Sequence, residues 1–141
     1  MELISMRLTK NYKLQEFISK NVFDIYGEKS VKFLCPRLIE LAQKLRDNYG
    51  ALTINNWLYF GDRQYSGFRQ EGEPYRSITS QHSFGRAIDI VPLNIDVESL
   101  REDLLKNLDK FVEIGGFGIY KTFVHLDIRY KVDGNVQFFE P

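Results

Sequence analysis

The chain has 141 residues, enough for one domain with its own hydrophobic core, so residues 1–141 are predicted to form a single domain. Its 19 basic and 19 acidic residues balance, and no net charge favours nucleic acid or an anionic membrane as a partner. The single cysteine excludes a disulfide within the chain, and no run approaches the ~20 apolar residues of a membrane span.

The first half of the chain predicts two helices, one strand and a loop. Apolar residues over 14–18 are spaced for one face of a short helix. A longer amphipathic helix begins at Pro36, where proline is tolerated in the first turn, and ends at Gly50. The β-branched and aromatic run 52–57 predicts a strand, and the polar stretch 61–76 predicts a long ordered loop.

The third quarter of the chain predicts a strand and a long helix. The strand covers 87–92 and is stopped by its proline, and the helix covers 97–114. After the helix, three glycines within residues 115–118 predict tight backbone turns.

The end of the chain predicts two further strands, over 123–130 and 135–139. Between them Asp133 and Gly134 form a strong hairpin signal, which predicts that the two strands pair with each other. The fold class is therefore predicted to be α+β, with helices packed on a small antiparallel sheet.

Both histidines of the chain lie close to an aspartate. Side chains of a strand alternate between its faces, so His125, Asp127 and Arg129 share the face opposite their apolar neighbours. Asp89 has the same relation to the isoleucines beside it, and the turn after His82 can fold that residue back towards Asp89. Two imidazoles and one carboxylate, with a fourth position left to water, are the ligands of a hydrolytic zinc site. The alternative is that the histidines are hydrogen-bonded structural residues and the aspartates surface or capping groups.

Two motifs of the chain resemble those of the M15 zinc peptidases. This group contains D-Ala-D-Ala carboxypeptidases and phage endolysins, and it shares its fold with lysostaphin-type and hedgehog zinc domains. The motifs are Ser80-x-His82-x-x-Gly85-x-Ala87-x-Asp89 and Gly116-x-Gly118-x-Tyr120-x-x-Phe123-Val124-His125-x-Asp127-x-Arg129. The similarity extends back through Ser66-Gly67-Phe68-Arg69 to Leu14-x-Glu16-Phe17, and so covers most of the chain.

The resemblance implies a mononuclear zinc site and a substrate-binding arginine. His82, Asp89 and His125 match the zinc ligands of the family. Arg69 matches the arginine that holds substrate and polarises the scissile carbonyl, which gives it both a binding and a catalytic role. A solvated loop arginine is the alternative for Arg69.

Further positions match residues that line the family's cleft. Ser80 and Gln81 are expected to form hydrogen bonds with the peptide substrate. Tyr120 either reaches the site or packs against its neighbours. Trp57 and Tyr65 line either a peptide groove or the core.

The general base is where the chain departs from the family. Many members carry Glu or Asp three residues before the last zinc histidine, and here that residue is Thr122. Relatives with a His-x-His pair use its first histidine, where this chain has Phe123. Asp127 is our candidate for the catalytic base, and orientation of the adjacent ligand histidine is the alternative for it. Glu113 and Asp62 are more distant candidates.

The resemblance therefore implies a zinc metallopeptidase that hydrolyses an amide bond in the peptide moiety of bacterial peptidoglycan, as a carboxypeptidase or an endopeptidase. Its partners would be peptidoglycan stem peptides, and a monomer is expected. With no run of signal-peptide length at residues 1–20, we expect synthesis in the cytoplasm and action on the cell wall after release, as in phage or prophage lysis. The alternatives are a catalytically inactive zinc-containing binding module and a virion-associated structural protein.

Overall fold

In the computed structural model, which describes residues 6–141, three α-helices accompany a five-stranded mixed sheet. The helices are α1 (Lys20–Tyr26), α2 (Pro36–Tyr49) and α3 (Val97–Lys106). The strands are β1 (Leu52–Thr53), β2 (Ala87–Pro92), β3 (Gly116–Ile119), β4 (Val124–Asp127) and β5 (Gln137–Phe139). The predicted α+β class is confirmed. Among these helices none is long and apolar enough to cross a membrane.

The sheet has the strand order β1-β2-β4-β3-β5, and its last strand differs from the prediction. The first four strands pair antiparallel, whereas β5 runs parallel to β3. The predicted hairpin at Asp133 and Gly134 is therefore wrong, although both residues do adopt left-handed turn conformations, with φ of 56° and 74°. Strand β4 already pairs with β2 on one side and β3 on the other, so β5 cannot pair with β4 and instead joins the sheet at the outer edge of β3.

The predicted helix at 36–50 is confirmed, whereas the one at 14–18 is not. Helix α2 begins at Pro36 and ends before Gly50, whose φ of 76° is left-handed. The segment at 14–18 forms only a short 3-10 turn, and α1 begins later, after Ser19. The Ser19 hydroxyl accepts a hydrogen bond from the backbone N–H of Val22 and so caps α1.

Two other predicted elements are shorter than expected. The strand predicted over 52–57 stops after two residues, because the side chain of Asn55 turns to bind the backbone of neighbouring segments. The helix predicted over 97–114 ends at Lys106, because Asn107 leaves the helical conformation and a 3-10 turn follows it. The predicted loop at 61–76 contains no helix or strand.

The core lies between the helices and one face of the central strands. Ile88 and Ile90 of β2 stand in register with Leu126 and Val124 of β4, and all four are fully or almost fully buried. Helices α2 and α3 both contact β2. The alternation predicted for these strands is confirmed, and it leaves the opposite face of β2 and β4 free to carry polar side chains.

Replacing Leu126 with alanine should lower the free energy of unfolding by about 2–5 kcal/mol, because it removes a fully buried side chain and leaves a cavity. The matched control is Leu105→Ala in α3, where the leucine is 40% exposed and the change should stay within about 0.5 kcal/mol. Urea unfolding followed by circular dichroism measures both, and equal stability of the two variants would contradict the described core.

Candidate metal centre

Two paired strands bring Asp89 and His125 face to face. In the antiparallel ladder of β2 and β4, Asp89 is the direct partner of His125. Both are buried, on the side of the sheet opposite the apolar core residues. Directly opposed residues in an antiparallel pair have their Cβ atoms about 4.5–5.5 Å apart, which lets the two side chains converge on one point.

A tight turn delivers His82 to the same point. The 3-10 turn Gln81–Phe84 carries His82, and the Ser80 hydroxyl caps it by accepting a hydrogen bond from the His82 backbone N–H. The turn closes at Gly85, which has a left-handed φ of 65°. A Cβ at Gly85 would lie 1.8 Å from the Phe33 carbonyl oxygen, so glycine is required there by both conformation and space.

The three ligand atoms form a nearly equilateral triangle. His82 Nε2 lies 3.2 Å from Asp89 Oδ1 and 3.2 Å from His125 Nδ1, and His125 Nδ1 lies 3.0 Å from Asp89 Oδ1. In a tetrahedral site with bonds of ~2.0–2.1 Å, ligand atoms lie about 3.3 Å from one another. The group His82, Asp89 and His125 can therefore hold a metal ion.

The outer hydrogen bonds of the two imidazoles fix their tautomers. His82 Nδ1 donates to the carbonyl oxygen of Gly67 at 2.8 Å, and a carbonyl can only accept. His125 Nε2 donates to Asp127 Oδ2 at 2.8 Å. In the neutral imidazoles the inner nitrogens therefore carry lone pairs, and together with a carboxylate oxygen they form three electron-rich atoms that converge on one point. A cation fits this arrangement, and the histidine held by a carboxylate is a recurrent feature of metal sites.

The pKa shifts agree with a centre that attracts positive charge. Burial raises the pKa of Asp89, but the neighbouring His125 and His82 side chains outweigh that and hold the pKa well below its usual range. Burial lowers the pKa of His125, but the hydrogen bond to Asp127 and the nearby Asp89 carboxylate outweigh that and raise the pKa above its usual value. At His82 burial prevails and lowers the pKa, which keeps this imidazole neutral.

Asp127 contacts Nε2 of His125, whereas Nδ1 of the same ring faces Asp89 and His82. It is fully buried, and Arg129 donates to both of its oxygens, from Nε at 2.8 Å and from Nη2 at 2.6 Å. Burial raises the pKa of Asp127, but the hydrogen bonds from Arg129 and His125 lower it to about 2. With both oxygens engaged and no contact with the cleft, Asp127 is placed to orient His125. This position favours the orienting alternative over the catalytic base.

The glycines of β3 make room for this arrangement. Gly116 stands opposite Asp127, and Gly118 stands opposite His125. A Cβ at Gly116 would lie 2.3 and 2.4 Å from the two Asp127 oxygens, and one at Gly118 would lie 2.9 Å from His125 Cβ. The predicted tight turns are wrong at these residues, because both belong to an extended strand and neither has a positive φ.

Arg69 holds the second oxygen of the Asp89 carboxylate. Its Nη2 donates to Asp89 Oδ2 at 3.1 Å, which leaves Oδ1 to face the two imidazoles. Its Nε and Nη1 donate to the carbonyl oxygens of Tyr65 and Tyr75 at 2.6 and 3.2 Å, and its own backbone N–H donates to the carbonyl of His82. The side chain is 12% exposed, so Arg69 is a fixed part of the site.

The centre opens into a cleft of about 930 Å³. The residues that line it include the three candidate metal ligands and, of the predicted substrate-binding residues, Arg69, Ser80, Gln81 and Tyr120. Tyr120 also stacks on Phe123, with ring centroids 4.5 Å apart.

Four other sequence candidates are placed as follows. Asp62 and Tyr65 line the cleft. Glu113 lies outside the cleft lining and forms an ion pair with Lys44 at 3.1 Å. The Trp57 indole donates to the carbonyl of Ile18 and is also absent from the lining.

Sequence analysis missed Phe139 as part of the site. Its ring lies 5.1 Å from the His125 ring and beneath the Arg129 guanidinium, 5.0 Å away, and it lines the cleft. Only the parallel pairing of β5 with β3 brings it there, and no local signal in the sequence reveals that pairing.

Comparisons with protein-family models, with curated proteins and with solved structures find no match to this chain.

Replacing Asp127 with alanine should weaken the binding of Zn²⁺, used as the probe ion, about 10–100-fold, because His125 loses the acceptor that fixes its tautomer. Competition with a chromophoric chelator measures this affinity. Asp24→Ala in α1, which removes an exposed carboxylate paired with Lys20, is the control and should leave it unchanged. Unchanged Zn²⁺ affinity in the Asp127 variant would contradict the orienting role.

Proposed function

We propose that the chain is a zinc metallopeptidase that hydrolyses an amide bond in the peptide moiety of bacterial peptidoglycan. The observation that carries the proposal is the triangle of His82, Asp89 and His125 at the wall of an open cleft. A metal bound there would have three protein ligands on one side and the cleft on the other. That is the arrangement of catalytic rather than structural zinc sites, which are closed by a fourth protein ligand.

The donor set favours zinc over magnesium and calcium. Two neutral imidazole nitrogens and one carboxylate oxygen suit zinc, whereas magnesium and calcium prefer oxygen ligands alone. The donor spacing of 3.0–3.2 Å suits a tetrahedral ion with short bonds.

When bound, zinc would supply a water of lowered pKa and polarise a carbonyl oxygen. The protein's own residues would orient the reaction around it. Arg69 has five N–H donors, three of which bind Asp89, Tyr65 and Tyr75, so two remain for an oxygen of the substrate. A guanidinium fixed in the cleft can stabilise the charge that develops on a scissile carbonyl.

Peptide binding would use the polar wall beside His82. The Ser80 hydroxyl accepts from the His82 backbone and keeps its own O–H to donate to a peptide carbonyl. Gln81 accepts from Arg86 through Oε1 and keeps its amide N–H groups for the substrate. The resemblance to the M15 group directs the proposal to an amide next to a D-amino acid in a peptidoglycan stem peptide, reached after release of the protein during phage lysis.

A second candidate is a metal-binding module that binds peptide without cleaving it. Thr122 lines the cleft at the position from which an acidic base acts in many M15 members. Asp127 is engaged on both oxygens, and the cleft-lining carboxylates are Asp62 and the metal-binding Asp89. These positions favour a module without hydrolysis, in which metal and peptide binding would remain.

Incubating the protein with defined peptidoglycan fragments should give a new mass for one amide cleaved, and a chelator should abolish it, because the bound metal is required. Mass spectrometry of the products identifies the bond. Protein shown to carry zinc that leaves several stem-peptide types intact would contradict the peptidase and favour the second candidate.

Replacing Arg69 with lysine should lower kcat about 10²–10³-fold, because an ammonium cannot reproduce the guanidinium's fixed donors. Arg37→Lys, an exposed arginine at the start of α2, is the matched control. Zinc content is measured in parallel by atomic absorption, and a variant with full zinc and unchanged kcat would exclude Arg69 from the chemistry.

A further inference from the structure

Two aromatic residues stand in a backbone conformation that only glycine adopts freely. Phe60 has a φ of 69° and Tyr75 a φ of 64°, and their side chains are 100% and 78% exposed. Such conformations cost a non-glycine residue about 1–3 kcal/mol and persist when the surroundings enforce them. The two differ in one respect, since Tyr75 lines the cleft and Phe60 does not.

Tyr75 is held in place by residues of the metal centre. Arg69 donates to its carbonyl oxygen and lies 5.8 Å from the centroid of its ring. The ring of Tyr65 meets it edge-on, with centroids 6.4 Å apart. One arginine thus joins the metal-binding carboxylate of Asp89 to Tyr75, and most of the tyrosine ring is left open at the cleft.

A guanidinium without a partner lines the same cleft. Three arginines of the described residues 6–141 have a buried Nε that forms no hydrogen bond, namely Arg63, Arg76 and Arg101, and of these Arg63 lines the cleft. Within that part of the chain no carboxylate forms an ion pair with Arg63, although Asp62 precedes it. A partly buried guanidinium with no counter-charge favours an anionic ligand, and a carboxylate matches its planar donors.

We propose that Tyr65, Tyr75 and Arg63 form a subsite beside the metal centre that binds a carboxylate-bearing segment of a peptide, with its apolar part against Tyr75 and its carboxylate on Arg63. That the peptide is a peptidoglycan fragment rests on the proposed function. It does not require that the fragment be cleaved. An exposed aromatic ring and a partly buried guanidinium that line the same cleft are the kinds of group that anchor a ligand.

The first test compares two variants that make the same kind of change at different places. Tyr75→Gly and Phe60→Gly each remove an exposed ring and relieve a left-handed φ, so any change in stability is shared. Affinity of the zinc-loaded protein for soluble peptidoglycan fragments should fall about tenfold or more for Tyr75→Gly and stay unchanged for Phe60→Gly. Tyr75→Phe, which keeps the ring, should bind as the original protein does. Affinity is taken as KM where the fragments are cleaved and as Kd from titration calorimetry where they are not.

The second test addresses the carboxylate. Arg63→Gln should weaken binding of fragments with free carboxylates about tenfold or more and leave fragments with amidated carboxylates unaffected. Arg37→Gln, which makes the same change of net charge outside the cleft, should affect neither. An equal loss on free and amidated fragments would overturn the assignment of the carboxylate to Arg63.

The outcomes separate this subsite from the proposed function. Equal affinity of Tyr75→Gly and Phe60→Gly, with hydrolysis intact, overturns the subsite alone. Binding that depends on Tyr75, without hydrolysis of any fragment, supports the subsite and overturns the peptidase. Absence of both binding and hydrolysis overturns both.

Discussion

The structure depends on bringing three electron-rich atoms to within about hydrogen-bond distance of one another, in a position that attracts positive charge. Two imidazole nitrogens and a carboxylate oxygen meet at 3.0–3.2 Å in a buried position. Their mutual repulsion is offset only by positive charge at the centre of the triangle. The surrounding protein favours lone pairs on the inner nitrogens, because the one N–H of each neutral imidazole donates outward, from His82 to the Gly67 carbonyl and from His125 to Asp127.

Two aspartate–arginine pairs serve the centre in different ways. Arg69 donates to the outer oxygen of Asp89, which is one of the three candidate metal ligands. Arg129 donates to both oxygens of Asp127, which is not one of them. Each arginine neutralises one carboxylate. Because both aspartates are already paired with an arginine, they would offset little of the charge of a divalent ion bound at the centre. Such an ion would polarise a substrate carbonyl in the cleft strongly.

Much of the candidate metal centre could be predicted from the alternation of side chains along single strands, whereas the residues packed around it could not. Alternation along β4 placed His125 and Asp127 on one face, and the same alternation in β2 placed Asp89 opposite its isoleucines. These inferences need only the strand period, which is a local property. The contribution of Phe139 depends on the pairing of β5 with the edge strand β3 instead of with β4, which is already paired on both sides. A turn signal at Asp133 indicates that the chain reverses there and carries no information about the strand that the returning segment meets.

The glycine at position 116 has a further consequence for how this chain can vary. Its backbone lies against the Asp127–Arg129 pair, with the carboxylate oxygens 2.3 and 2.4 Å from where a Cβ would stand. A larger residue at 116 is therefore compatible only with a shorter side chain at 127, and the shorter side chain no longer reaches His125. Among sequences with this architecture, positions 116, 127 and 129 should accordingly change together or not at all. Strand β3, which supplies none of the candidate metal ligands, would then be as restricted in sequence as the strands that supply them.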